Sequence, residues 1–246
     1  MSKNWYFTLI LLLLGSNLLL AQSSPPAWGG GADQTDLSFG FSFSYVNSYF
    51  KIVKKPDWRN PYFDPGVNKY ITDSVNSITS ASLPGFAIGF VTRYRIDDHI
   101  EVRGTPALVF ADRGLTYTYA TPSQDVTKQI QTTTVDLPLS IKIKSDRIYN
   151  FRAYIMGGVK YSLAVGKGNV AASDLNPLDQ LPKNVQGFGS YDVGMGCDIY
   201  FEFFKLSPEI RLSNSLGNVL LPGANPYSTP LSNLSLHTIT FSLIFE

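Results

Sequence analysis

Residues 37–45 have the sequence LSFGFSFSY, in which large apolar residues alternate strictly with glycine or serine. In an extended chain, successive side chains point to opposite faces, so this stretch has one aromatic face and one face of small residues. Such a period of two over nine positions is typical of a strand in an antiparallel sheet with two different environments. The stretch therefore predicts the first strand of an all-β fold.

Seven further segments alternate in the same way, and their connections differ systematically in length. The segments cover about residues 85–95, 100–110, 135–144, 149–161, 191–202, 206–212 and 238–245. Connections after the second, fourth and sixth segments are short, namely residues 97–99, 145–147 and 203–205, whereas those after the first, third, fifth and seventh are long and rich in Pro, Gly, Asn and Ser. This asymmetry is typical of outer-membrane barrels, whose tilted strands need about 9–11 residues to cross a bilayer. We predict an eight-stranded antiparallel up-and-down outer-membrane β-barrel, with Pro84, Pro106, Pro138 and Pro208 near strand ends or bulges.

The first 21 residues have the pattern of a secretory signal peptide. Lys3 precedes an apolar run, and Ala21 is a small residue suited to cleavage. A retained transmembrane helix is the alternative, but the uninterrupted apolar run is shorter than the roughly 20 residues that a spanning helix needs. We predict a signal peptide over residues 1–21, a flexible linker over 22–35 and the barrel over 36–246.

Charge and cysteine content exclude several classes of protein. Cleavage after residue 21 would remove Lys3 and leave 19 of the 20 basic residues against 19 acidic ones. A neutral chain is a poor nucleic-acid binder and a poor polybasic membrane-surface protein. Cys197 is the single cysteine, so the chain has no internal disulfide.

The polar face of the segments combines small residues with charges of both signs, and Glu202 falls on it as well. A soluble lipocalin-like barrel would show the same alternation inverted, with its apolar face around a ligand. Glycine weakens a strand and brings no benefit on a face exposed to solvent, whereas a narrow lumen has room for little else between charged side chains. Charges confined there must be paired, so we predict a plugged lumen in which twelve residues are structural charges: Arg93, Arg95, Glu101, Arg103, Asp136, Lys142, Arg152, Lys160, Asp192, Asp198, Glu209 and Arg211.

Residues suited to catalysis are scarce. His99 lies in a predicted tight turn and His237 near the loop end of the last segment, so the two are expected at opposite ends of the barrel. Neither a Ser-His-acid set nor a shared metal site can be built from them. We predict a protein that is not an enzyme and has no cofactor and no metal. The first long loop, with Trp58, Tyr62 and Phe63, is predicted either to bind a partner or simply to extend the strands.

Four strings of residues carry a family resemblance over nearly the whole mature chain: YFKI at 49–52, DLPLSIK at 136–142, SDRIYN at 145–150 and FKLSPEIR at 204–211. They resemble the PorT/SprT family. The resemblance implies a small outer-membrane barrel required by the type IX secretion system, which also supports gliding motility in bacteria that glide. It implies outer-membrane lipid and other type IX secretion components as partners, with no nucleic acid and no small-molecule substrate. The chain ends Phe245-Glu246, whereas outer-membrane barrels usually end on the aromatic residue itself.

Two other functions remain open from the sequence. One is a small outer-membrane barrel with a general envelope role, such as adhesion or a narrow pore. The other is a secreted lipocalin-like carrier, which would be soluble.

Overall fold

The computed structural model describes residue 33, residues 35–165, residue 178, residues 185–221, residue 223 and residues 225–246. The predicted signal peptide at 1–21 and most of the predicted linker at 22–35 lie outside the described residues. The strands are β1 (Leu37–Lys54), β2 (Phe63–Asp64), β3 (Lys69–Tyr70), β4 (Val75–Ala81), β5 (Leu83–Arg95), β6 (Ile100–Gly104), β7 (Ala107–Tyr119), β8 (Val126–Lys144), β9 (Phe151–Ala164), β10 (Gly187–Tyr200), β11 (Lys205–Ser215) and β12 (Leu231–Phe245).

Ten of these strands form one antiparallel sheet that closes on itself. β4 and β5 are two parts of one barrel strand separated by Ser82, and β6 and β7 are two parts of another. The first and last barrel strands close the ring, because β1 pairs with β12 from Phe41↔Phe245 to Lys54↔Leu231 and with β5 on its other side. The predicted eight-stranded up-and-down barrel is therefore confirmed.

The two faces of the wall match the period of two in the sequence. On β1, Phe39 is 56% exposed and Phe43 is 50% exposed, whereas Ser42, on the inner face, is 3% exposed. Aromatic pairs on the outer face stack across neighbouring strands, as Phe41 does on Phe245 with ring centroids 5.2 Å apart. The outer surface is thus a continuous apolar band, and the inside holds the polar residues.

The connections define two ends of the barrel. Short turns at residues 96–99, 145–150 and 201–204 form the turn end, and the other connections form the loop end. The prediction of a long third loop was wrong. β7 continues to Tyr119, β8 starts at Val126, and a 3₁₀ turn at Pro122–Gln124 lies between them. The third segment was predicted to end near Phe110, but β7 continues to the alternating Thr and Tyr residues at 116–119, and β8 begins nine residues before the predicted start of the fourth segment.

Pro106 and Pro138 lie side by side in the wall. Pro106 occupies the break between β6 and β7, as expected for a residue that lacks a backbone donor. Pro138 lies inside β8, contrary to its predicted place at a strand end or bulge. Its carbonyl accepts a 3.3 Å hydrogen bond from the N–H of Thr105, so its missing donor also faces this break. The carbonyl of Pro106 accepts a 2.9 Å hydrogen bond from the N–H of Phe90, so its missing donor faces β5. The two prolines therefore lie close together but remove donors from two neighbouring ladders.

The interior at the loop end is apolar. Val75 and Ile78 lie in β4, which pairs with β7, and residues of the connection between β11 and β12 fold in over them. We call this set the apolar cluster: Phe50, Val75, Ile78, Leu115, Tyr117, Tyr119, Val219, Leu220, Tyr227, Leu231, Leu234 and Leu236. Within the part of the chain that is described, no helix has the length and apolar character to span a membrane.

Candidate functional site: the charged barrel interior

The interior at the turn end is filled by ionised side chains. They come from inward-facing positions of β5, β6, β8, β10 and β11 and from the residue after β12. Each is buried, because neighbouring strands and the turns enclose the narrow lumen on all sides. We call this set the charge cluster: Arg93, Glu101, Arg103, Lys142, Lys144, Asp198, Lys205, Glu209 and Glu246.

Glu101 is the most heavily paired acid of the charge cluster. Its carboxylate lies 3.1 Å from Nζ of Lys142 and 2.9 Å from Nζ of Lys144, both on the adjacent strand β8. On the other side, Nη1 of Arg93 lies 3.4 Å away. A buried carboxylate is tolerated only when such partners replace its lost hydration. Glu101 therefore holds three strands together.

Lys142 links this acid to a second one. Its Nζ donates to both carboxylate oxygens of Asp198, at 2.8 and 2.9 Å, and lies 3.7 Å from the centroid of the Tyr154 ring. Asp198 also accepts a 2.6 Å hydrogen bond from the hydroxyl of Ser207. Lys142 on β8 thus links Glu101 on β6 to Asp198 on β10 through buried contacts.

Arg103 connects opposite walls of the barrel. It projects from β6, and its Nη1 donates at 2.9 Å to Glu209 on β11, halfway around the ring. The same carboxylate accepts a 2.9 Å hydrogen bond from the hydroxyl of Tyr154 and a 2.7 Å bond from Arg211. The contact between Arg103 and Glu209 therefore joins opposite walls across the lumen at this height.

The turn end is closed by residues on either side of the strands. Nζ of Lys205 lies 2.7 Å from the carboxylate of Glu246 and 3.5 Å from that of Asp33, which precedes β1. Asp33 also lies 3.2 Å from Arg93 and accepts a hydrogen bond from the hydroxyl of Tyr200. Burial opposes ionisation of Asp33, but these partners, Lys205 first, hold its pKa below the ordinary value.

The twelve residues predicted as lumen charges have different surroundings. Six of them belong to the charge cluster: Arg93, Glu101, Arg103, Lys142, Asp198 and Glu209. Asp136 and Lys160 form a 3.2 Å pair farther towards the loop end, and Asp192 and Arg211 form a 3.7 Å pair nearby. Arg152 is buried and donates to the carbonyl of Ser145, and Arg95 lies at the mouth of the turn end, paired with Asp36 at 3.0 Å.

One charged residue of the polar face lies outside the lumen. Glu202 is exposed in the turn between β10 and β11, because β10 ends at Tyr200 and its alternation stops there. Five further charges inside the barrel are absent from the predicted set: Asp33, Arg113, Lys144, Lys205 and Glu246. Lys144 lies on the predicted polar face but is not among the twelve. Asp33 was assigned to the linker, Lys205 to a turn and Glu246 to the chain end. Arg113 lies beyond the predicted end of its segment, although it continues the inward positions of β7.

The two histidines lie apart and outside the charged interior. His99 is exposed and lies 2.9 Å from Asp146 of the neighbouring turn, while His237 stacks on Tyr49 on the outer wall, with ring centroids 5.4 Å apart. Among the residues with a described position, no three His, Cys, Asp or Glu side chains are grouped as metal ligands would be. Each cation of the charge cluster has an acid beside it.

Comparison with known proteins places the chain in a family. A family model described as outer membrane protein beta-barrel domain matches residues 20–221. No curated protein sequence matches significantly. The solved structure of the outer membrane protein OprG from Pseudomonas aeruginosa is 13% identical, with 85% of this chain and 93% of OprG covered and a TM-score of 0.46.

Two other solved structures are similar at the same level. Ail, the attachment invasion locus protein of Yersinia pestis, solved with the heparin analogue sucrose octasulfate, is 11% identical over 86% of this chain and 99% of its own, with a TM-score of 0.39. The outer membrane protein AlkL in DMPC lipid bilayers is 17% identical over 91% of this chain and 93% of its own, with a TM-score of 0.40. Since the family model covers most of its length, this chain belongs to the outer membrane protein beta-barrel domain family.

Proposed function

We propose that this outer-membrane barrel protein is a plugged, non-enzymatic accessory component of type IX protein secretion, and of gliding motility in bacteria that glide. The observation that carries the plugged state is the pair of filled layers inside the barrel. At the turn end, ion pairs such as Arg103 with Glu209 join opposite walls. At the loop end, the apolar cluster fills the lumen. A barrel filled at both ends acts through its outer surfaces and does not conduct cargo.

The support for type IX secretion is the resemblance of four strings to the PorT/SprT family. Residues 136–142 and 204–211 include Asp136, Lys142, Lys205, Glu209 and Arg211 of the charged interior, and residues 145–150 form a turn at the turn end. Leu139, Ile141 and Ile210 of the same strings face the lipid, as alternation along a strand requires. The resemblance therefore includes charged inward positions in addition to the lipid-facing band, whose composition any outer-membrane barrel would share.

Partners are proposed to bind at the rims. The first long loop exposes an aromatic and basic surface in which Lys54 and Arg59 lie 4.0 and 5.0 Å from the ring of Trp58. A cleft of about 210 Å³ between this loop and the β11–β12 connection is lined by Trp58, Tyr62, Phe63 and several prolines. Aromatic and arginine side chains are favoured at protein interfaces. The linker before β1 is the other proposed contact, at the opposite end.

The test is comparative proteomics of the secreted proteins in a clean deletion strain, its parent and the strain complemented with the wild-type gene. Outer-membrane fractionation of the complemented strain first confirms the location of the protein. We expect proteins that carry a type IX targeting domain to disappear from the medium of the deletion strain and to accumulate in its periplasm. The amounts of unrelated outer-membrane proteins serve as the control for general envelope damage. An unchanged secretome would refute the role in secretion.

A general envelope role is the second proposal, and the aromatic surface of the first loop favours it. In that case, deletion would leave secretion intact but change adhesion or envelope integrity. A narrow pore is a further form of this role, and single-channel recording separates it from the plugged barrel. The plugged state gives no stable conductance in a planar bilayer, whereas a pore gives a reproducible step.

A further inference from the structure

A cavity lies between the charge cluster and the apolar cluster. Its volume is about 60 Å³. Since one water needs about 10–15 Å³, the cavity has room for a few waters or for one small ion with water. Most of its wall consists of Ser, Thr and Ala from inward positions, with Phe188 and Leu236 towards the apolar cluster. The cavity is therefore polar and small, and it lies between the two clusters.

Arg113 on β7 lines this cavity and is 5% exposed. Its guanidinium makes no ion pair or hydrogen bond with any residue in the described ranges, and its Nε is buried without a partner. The nearest recorded ring contact is to Phe50, whose centroid lies 5.9 Å away. Arginine stays charged in proteins, and buried charges are paired or hydrogen-bonded. Asp136, which lines the same cavity, attracts the guanidinium of Arg113 from beyond ion-pair distance, so no described acid neutralises Arg113 by direct contact.

The other charges of the cavity already have partners. Asp136 lies 3.2 Å from Nζ of Lys160 and accepts a 3.0 Å hydrogen bond from the hydroxyl of Thr134. Asp192 lies 3.7 Å from Arg211 and accepts a hydrogen bond from Ser213. Three cations and two acids thus line the cavity, and Arg113 is the cation without a described acid within ion-pair distance; Arg211 also contacts Glu209 at 2.7 Å.

One hydroxyl group adds a donor to this charge. Oγ of Ser48 lines the cavity, is buried, and has no hydrogen-bond partner among the described residues. A hydroxyl hydrogen rotates towards whatever acceptor is present, so Ser48 can donate to an anion. Thr105, whose Oγ1 also has no partner among the described residues, precedes Arg113 by eight residues on the same barrel strand and therefore lines the far end of the cavity. One carboxylate oxygen, Oδ2 of Asp192, also lacks a hydrogen bond, and water suits it better than an anion. The anion is therefore expected at the Arg113 side of the cavity.

We propose that this cavity binds one small monovalent inorganic anion of the halide class at the guanidinium of Arg113. One net positive charge selects a single monovalent anion, and the volume excludes organic acids with long chains. Because both ends of the barrel are filled, the anion enters as the barrel folds and afterwards exchanges slowly. Its binding free energy is then part of the stability of the folded barrel.

The test compares barrels folded in detergent in sodium chloride with barrels folded in sodium gluconate at equal ionic strength, since gluconate is too large for the cavity. The measurement is the thermal unfolding midpoint across a chloride titration. We expect a saturable rise of about 3–6 °C at a chloride concentration ten times the Kd. Arg113→Met should abolish the rise, whereas Lys69→Met, which removes an exposed cation of the first loop, should retain it.

Crystals grown in sodium bromide provide a second measurement that needs no variant. An anomalous difference peak beside the Arg113 guanidinium would support the site, and its absence from the cavity would overturn the proposal. Equal midpoints in chloride and gluconate would also overturn it, and so would the same titration curve for Arg113→Met. In those cases Arg113 is solvated by water alone. If Arg113→Met does not fold, the bromide map of the wild-type protein decides.

Discussion

Replacing Lys142 by methionine tests whether the charge cluster stabilises the barrel. Methionine keeps most of the side-chain volume and removes the cation that contacts Asp198 at 2.8 Å and Glu101 at 3.1 Å. The carboxylate of Glu101 still has Nζ of Lys144 at 2.9 Å, so it loses only part of its electrostatic stabilisation. Among the described residues, Asp198 keeps only the hydroxyl of Ser207 within hydrogen-bond distance, while Lys205 and Arg103 attract it from farther away.

The expected change in the free energy of unfolding depends on Asp198, which loses its cation. Removing one partner of a buried ion pair costs about 3–5 kcal/mol, because the other charge stays buried and uncompensated. We expect the free energy of unfolding of Lys142→Met to fall by about 3 kcal/mol, the lower end of that range, because Glu101 remains paired. Asp198→Asn combined with Lys142→Met removes both charges and should recover part of the loss. The coupling free energy of the double-mutant cycle should be about 1–3 kcal/mol.

The assay is equilibrium unfolding by guanidinium in detergent micelles or lipid vesicles, followed by tryptophan fluorescence and by the shift of the folded band on a gel. Lys69→Met is the matched control, because it removes an exposed lysine and should change the free energy of unfolding by less than about 0.5 kcal/mol. If Lys142→Met unfolds at the same denaturant concentration as the control, or if the double variant shows no coupling, the ion pairs of the interior do not stabilise the barrel.

Two further changes probe packing and pH. A Cβ on Gly158 would overlap the carbonyl oxygen of Leu139, so Gly158→Ala should lower the free energy of unfolding by about 1–3 kcal/mol. A Cβ on Gly104 meets nothing within 4 Å, so Gly104→Ala should change this free energy little. Equal stability of the two variants would contradict the close approach of β8 and β9. The pKa of Asp33 is lowered mainly by Lys205 against the effect of burial, so its stabilising contribution is present above its ordinary pKa of 3.8 and is lost as the pH falls through the lowered value. Unfolding midpoints below about pH 4 should therefore fall more steeply for the wild type than for Asp33→Asn, and parallel curves would show that Asp33 is not paired in the folded barrel.

The outer wall could be predicted from the sequence because its signal is local. A strand exposes alternate residues, so the aromatic and aliphatic residues at 37–45 show which face meets lipid without any knowledge of the neighbouring strands. The same signal shows that Lys142 and Asp198 point inward. Short turns are also local, since Asp97-Asp98 and Ser145-Asp146 have the residues that tight turns favour.

The pairing inside the barrel could not be predicted, because it depends on register and tilt. Which inward residues lie at the same height is fixed by the stagger of all eight strands. Arg103 and Glu209 are 106 residues apart in the chain and meet across the lumen. The end of β7 was missed for a related reason. Residues 115–119 place Leu115, Tyr117 and Tyr119 on the inner face and threonine on the outer face, so the outward apolar residues that mark the other strands are absent there.

Glu246 shows how closure of the ring and pairing of the interior depend on each other. Its backbone completes the ladder with Lys205, through N–H to carbonyl distances of 3.0 and 2.7 Å, and its side chain contacts the ammonium of the same lysine. That carboxylate also lies 3.6 Å from Arg93, which projects from β5, on the other side of the β1–β12 seam. A slip of one residue in β12 would turn the side chains of that strand to the opposite face and leave cations buried without acids. An interior of paired charges therefore penalises wrong registers more strongly than an apolar interior would. The terminal Phe245-Glu246 sequence serves both faces, with the aromatic ring outside against Phe41 and the acid inside against Lys205.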